Sequence, residues 1–95
     1  MLDDVELGSF EEPVLVATDA GERLVSSARE AAEMLLYDWP TGETAIRIQA
    51  RMSCMKVLGG SGSPAFAREA FIQAAEEAKI LIEKQPVEIA ALGRW

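Results

Sequence analysis

The sequence predicts an α+β domain in which an N-terminal β-hairpin packs on three helices, with a third strand offered by the C-terminal segment. Three observations predict it. Two short β-prone runs flank the turn Asp19-Ala20-Gly21-Glu22, apolar residues recur at intervals of three and four from Ala28 to Ile82, and Ser, Pro and Gly punctuate that pattern where helices start and stop.

The hairpin comes first. Residues 13–18, Pro-Val-Leu-Val-Ala-Thr, form one strand and residues 23–25, Arg-Leu-Val, the other, with Asp19 and Gly21 supplying the turn chemistry between them. Two strands alone are marginal in water, so the pair must lie on helices and gain a third strand. Residues 86–89, Pro-Val-Glu-Ile, are the candidate for it, the alternative being a loose tail over 86–95.

Ser27 and Glu30 have the Ser-x-x-Glu form that caps a helix start. Ala28, Ala32, Leu35, Leu36 and Trp39 then fall on one face, and Pro40 ends the helix by disfavouring the α conformation at Trp39. Residues 43–58 fit two periods. Ile46, Ile48, Ala50 and Met52 alternate as in a strand, whereas helical spacing puts Ile46, Ala50, Cys54 and Val57 on one face and Ile48, Met52 and Met55 on the other. The content of Ala, Met, Arg and Gln favours the helix. Such a helix has two apolar faces, so it must be covered on both sides, either at the centre of the fold or in a subunit interface. Gly59-Gly60-Ser61-Gly62 ends it, and Ser63-Pro64 opens a last helix, expected from Ala65 to about Glu83, whose buried face is rich in alanine: Ala67, Ala70, Ala74, Ala75 and Ala78 with Phe71 and Leu81.

Composition narrows the rest. The 95 residues are 49% hydrophobic and 26% charged, which suits one small globular domain. Of the 16 acidic residues behind the net charge of −7, Asp3, Asp4, Glu6, Glu11 and Glu12 fall in the first twelve positions, where no basic residue occurs. Residues 1–12 therefore read as a flexible acidic leader, 13–85 as one domain and 86–95 as a tail or short strand. No clustered Lys and Arg offer a nucleic-acid surface, and no apolar run approaches a membrane span, so the expectation is a cytoplasmic protein with neither partner. The absence of histidine removes Ser-His-Asp and Cys-His catalysis and Cys/His zinc sites within the chain, and no cofactor is expected.

Several of these positions, taken in order, resemble a small alphaproteobacterial family catalogued as domain of unknown function 982: Pro13-Val14, Trp39-Pro40 with Gly42, Ala50 and Cys54 at helical spacing, Gly60, and Ala67-Arg68-Glu69-Ala70-Phe71-Ile72-Gln73-Ala74. They span roughly residues 10–82. The sequence departs from the pattern between Gly42 and Ala50, where the expected aromatic is missing and Ile46 is nearest. The resemblance implies a short α+β domain with a leading hairpin and brings no activity with it.

Four features carry candidate chemistry, each beside a plainer reading. Cys54 is a nucleophile if an arginine lowers its pKa, or a small buried hydrophobe. Gly60 lies in a loop whose N–H groups can hold an anion at a helix start, or that simply joins two helices. Arg47 and Arg51, one helical turn apart with Lys56 downstream, bind a carboxylate or phosphate ligand or an acidic partner, or pair with Glu43 or with the acidic leader. Arg68, at the edge of the buried face, stacks on Trp39 or pairs with a carboxylate of the first helix. The leading expectation is a small non-catalytic interaction or regulatory module, meeting a second copy of itself or another protein. The alternative is a domain that binds a small anionic metabolite through Gly60, Arg47, Arg51 and Arg68, with Trp39 as a pocket wall.

Overall fold

The structure, a computed structural model, describes residues 8–82. A two-stranded antiparallel hairpin, β1 (Ser9–Thr18) and β2 (Gly21–Ser27), is followed by three helices, α1 (Ala28–Tyr37), α2 (Ala45–Leu58) and α3 (Pro64–Glu77). The α+β expectation, with hairpin first and three helices after it, is what forms.

Val14 pairs with Val25, Val16 with Arg23 and Thr18 with Gly21 across the hairpin. Val14, Val16 and Val25 are buried against the helices while Leu24, of opposite pleat, is 59% exposed. β1 begins at Ser9, four residues ahead of the expected Pro13. The register slips between Ser9 and Val14, and this irregularity lets Phe10 turn inward although Glu11, Glu12 and Pro13 stay exposed. The slip removes the strict alternation by which a strand is read.

Ser27 closes β2 and caps α1, its Oγ accepting from the Glu30 N–H at 3.1 Å. The Glu30 carboxylate reaches back to the N–H of Ser26 at 2.7 Å, one residue beyond the usual reciprocal partner. In α1 the covered arc runs through Ala28, Ala31, Ala32, Met34 and Leu35. Leu36, expected on that stripe, is 39% exposed, and Met34 fills the core instead.

Residues 45–58 are helical, as composition favoured. The caps are Thr44, whose Oγ1 accepts from the Arg47 N–H, and a glycine-rich exit. There Gly60, at φ +91°, donates to the Val57 carbonyl and Ser61 to that of Lys56, the paired bonds of a Schellman motif. α2 packs mainly on α1 and α3, and those two helices reach the hairpin. The core is thus built from Val14, Val16, Val25, Leu35, Cys54 and Phe71 at its centre. Of the two expected apolar faces of α2, one is covered only in part, since Ala50, Cys54 and Val57 are buried but Ile46, expected with them, is 38% exposed. Ile48, Met52 and Met55 lie open because no described element stands beyond the helix.

α3 also ends early, at Glu77 rather than near Glu83. Lys79 adopts φ +63° and donates to the Glu76 carbonyl, and Ile80 donates to that of Ala75, a second Schellman stop with a lysine where glycine is usual. The reversal carries the chain back to β1. Ala17 donates to the Ile80 carbonyl at 2.8 Å, Ile82 to that of Leu15 at 2.9 Å, and Val16 bridges Leu81. A third segment therefore does pair with the hairpin, supplied by 80–82. The expected strand at 86–89 lies outside the described residues.

Gly8 plays a part that nothing in its sequence surroundings signals. It is buried at φ +68°, its carbonyl accepts from the Ala28 N–H at 2.9 Å, and a Cβ there would lie 2.6 Å from Val57 Cγ1. The start of the described chain is thereby seated where α1 begins and α2 ends.

Candidate functional site

Each candidate side chain has a definite place; Arg47 and Arg51 meet at Glu43, and the others lie apart from them. Arg47 points from the first turn of α2 to the end of α1, where the Leu35 carbonyl has lost its helical partner because Pro40 stops the chain. Its Nε and Nη2 donate to that oxygen at 3.0 and 2.6 Å, and Nη1 donates to the Thr41 carbonyl at 3.2 Å. A guanidinium at a helix C-terminus also meets the negative end of the helix dipole. With a side chain only 14% exposed, Arg47 is a clamp between α1 and α2. Arg47→Met is expected to cost about 1.5–3 kcal/mol, the range for hydrogen bonds to a charged group. Arg47→Lys should recover only part, since an ammonium cannot reproduce the planar fork. Urea unfolding of the three proteins checks both.

Arg51 holds Glu43 with two parallel bonds, Nη1 to Oε1 at 3.0 Å and Nη2 to Oε2 at 2.8 Å. Those bonds hold the Glu43 carboxyl below its ordinary range, with the charges of Arg51 and Arg47 acting in the same sense. Glu43 is half exposed, so the pair orders the α2 entry more than it stabilises the fold. Sequence spacing of Glu43 and Arg47, four residues apart, was the signal for this cluster.

Arg68 neither stacks on Trp39 nor pairs with a carboxylate of α1. Its Nε donates to the backbone carbonyl of Glu12 at 2.7 Å, so it ties α3 to the irregular part of β1. The physical reason is the slip before Val14, which turns that carbonyl out of the hairpin ladder toward α3. A shallow groove of about 560 Å3 runs beside it, lined by Ser9, Glu11, Glu12, Ser63 and Glu69. Gly60 is not on it. The N–H groups of Gly59, Gly60 and Ser61 all donate to carbonyls at the end of α2, which leaves that part of the loop without donors turned outward.

Trp39 is half-buried beyond the end of α1, its ring edge-on to Phe71 at 5.8 Å and 62°. Its indole N–H is buried with no hydrogen-bond partner among the described residues. The ring also walls a groove of about 850 Å3 with Met34, Tyr37, Asp19, Glu22 and Ile80, which none of Arg47, Arg51, Arg68 or Gly60 reaches. The five residues of the anion-binding reading are therefore spread over several surfaces.

Cys54 is fully buried, and burial pushes its thiol up from 9.0 to about 12. A neutral thiol in the core has the character of a small hydrophobe. Because the unfolded thiol ionises near pH 9 and the folded one near 12, the stability this group contributes is present below pH 9 and is lost as pH rises through that window. The urea midpoint is expected to fall over that interval and to fall less steeply in Cys54→Ala. Among the described residues no group of three or more His, Cys, Asp or Glu is placed to hold a metal ion.

Several large apolar side chains stay exposed, Leu24, Tyr37 and Phe66 among them, and three of the others line up on α2. Ile48, Met52 and Met55, at positions i, i+4 and i+7 of α2, are 36%, 56% and 51% exposed and share one face. No described helix is long and apolar enough to cross a membrane, so this stripe is not part of a helical span among those residues.

Comparisons with known proteins agree with the architecture. The chain is similar to Agrobacterium tumefaciens protein Atu1219, a structural genomics target solved by NMR, at 28% identity and a TM-score of 0.69, over 82% of this chain and 79% of that one. No curated protein matches it. The model of a family described as a protein of unknown function, DUF982, matches residues 12–82. That span takes in the hairpin, all three helices and the returning segment, and the chain belongs to the DUF982 family.

Proposed function

We propose that this protein is a small non-catalytic interaction module that engages another protein chain through the outer face of α2. The observation that carries the reading is the stripe of Ile48, Met52 and Met55, a row at helical spacing with no covering element among the described residues. A row of this spacing suits helix-against-helix contact. Methionines also adapt their shape to the surface they meet. The plainer uses of the other candidates support the same reading, since Arg47, Arg51, Arg68 and Gly60 each serve the fold through specific bonds and Cys54 is in the core.

A photo-crosslinking amino acid placed at Met52 in the native host tests it, with the same group at Glu33, exposed on α1, as control. Discrete protein adducts from position 52 and none from 33 are expected. An absence of adducts at 52 overturns the reading, and an adduct of twice the chain mass identifies a second copy as the occupant.

A further inference from the structure

Charge is distributed among the elements in a way that bears on what covers α2. β1 carries Glu11 and Glu12, α1 carries Arg29 with Glu30 and Glu33, and α3 carries Arg68 with Glu69, Glu76 and Glu77. β2 balances Glu22 with Arg23. α2 alone is basic, with Arg47, Arg51 and Lys56 and no acidic residue, in a protein of net charge −7. Two of those cations border the open stripe: Arg51 lies three residues after Ile48 and four before Met55, and Lys56 lies four after Met52. Glu43, outside the helix, offsets one of them through its bonds to Arg51.

We infer that the segment docking on α2 is an acidic amphipathic helix of a different protein, its apolar row on Ile48, Met52 and Met55 and its carboxylates toward Lys56. This rests on the reading of α2 as the contact surface and names the chemistry of its partner. An apolar stripe alone accepts any greasy helix, whereas a basic border discriminates by sign, favouring acidic partners and opposing basic ones. The same border opposes self-association, because two copies meeting through α2 bring like charges together. Lys56 supplies most of the discrimination, being exposed and in no ion pair among the described residues.

The test uses the full chain and two synthetic peptides sharing one apolar row at i, i+3, i+4 and i+7, one filled elsewhere with Glu, the other with Lys. Binding is followed by backbone amide shifts in NMR and by anisotropy of labelled peptide. The Glu peptide is expected to move the amides of Ile48, Met52 and Met55, to bind at least tenfold tighter than the Lys peptide, and to weaken severalfold between 50 and 500 mM salt. Lys56→Glu should narrow or reverse the preference, while Met52→Asp should abolish binding of both peptides. Equal binding, a preference for the Lys peptide, or no binding of either overturns the inference on partner chemistry. A dimer in light scattering that Met52→Asp converts to monomer overturns it too, by making the occupant a second copy. In all of these cases crosslinking at Met52 still decides, independently, whether α2 is the contact surface.

Discussion

Replacing Phe71 with alanine is expected to destabilise the protein by about 3–5 kcal/mol, the largest effect of any single truncation in this core. Phe71 is fully buried, the bulkiest side chain that is, and it stands where the alanine face of α3 meets the other elements. The small neighbours Ala67, Ala70, Ala74 and Ala75 cannot extend into the space it leaves. A total stability of about 5–15 kcal/mol is usual for a domain, so the loss is a large share of it. The edge-on contact with Trp39 adds a separable part. A double-mutant cycle of Trp39→Leu and Phe71→Leu should give a coupling of about 0.5–1.5 kcal/mol. Denaturant unfolding measures both quantities, and a Phe71→Ala midpoint close to the parent's would contradict this packing.

Gly8→Ala should be nearly as damaging, at about 2–4 kcal/mol, although it adds one methyl group. Two costs combine. A φ of +68° places a non-glycine residue in the left-handed region, a penalty of about 1–2 kcal/mol, and the new Cβ would meet Val57 Cγ1 at 2.6 Å and Ala28 Cβ at 2.9 Å. Val57 and Ala28 are both buried, so neither can withdraw without moving a helix. Gly60→Ala is the control. Its φ of +91° carries the conformational cost alone, because nothing lies within 4 Å of the added carbon. Thermal melts should therefore rank parent, Gly60→Ala and Gly8→Ala in descending order.

Much of this architecture was legible in the sequence for reasons that are local. Ser27, Thr44 and Ser63 cap helices through their own hydroxyls, and Pro40 stops α1 by steric conflict with its neighbour. Gly60 could be read as a helix exit because only glycine takes its backbone angles without strain. What escaped was non-local. The left-handed turn at Lys79 has no glycine to announce it, and its stability comes from returning Ile80 and Ile82 to β1. Gly8 is required by contacts with Val57 and Ala28, both distant in the chain. Among the candidate site residues, identity was legible and partnership was not. Arg47 had the right chemistry to grip an oxygen acceptor, but the acceptor proved to be the backbone of Leu35, and Arg68 found the backbone of Glu12. Residue types specify what a group can bond, while the acceptor is chosen by the way distant segments come to lie together.

The bridge from 80–82 to β1 also makes the two edges of that strand unequal in the length of chain they close. β1 meets β2 across a tight turn, a closure of small entropic cost, but its other edge is paired by a segment separated from it by all three helices, a closure of larger cost. The amides of Ala17 and Ile82 are shielded by bonds that join segments far apart in the chain. Their hydrogen exchange is expected to report opening of this edge alone, and slower exchange inside the hairpin ladder would place the strands that carry Val14, Val16 and Val25 in a more stable unit.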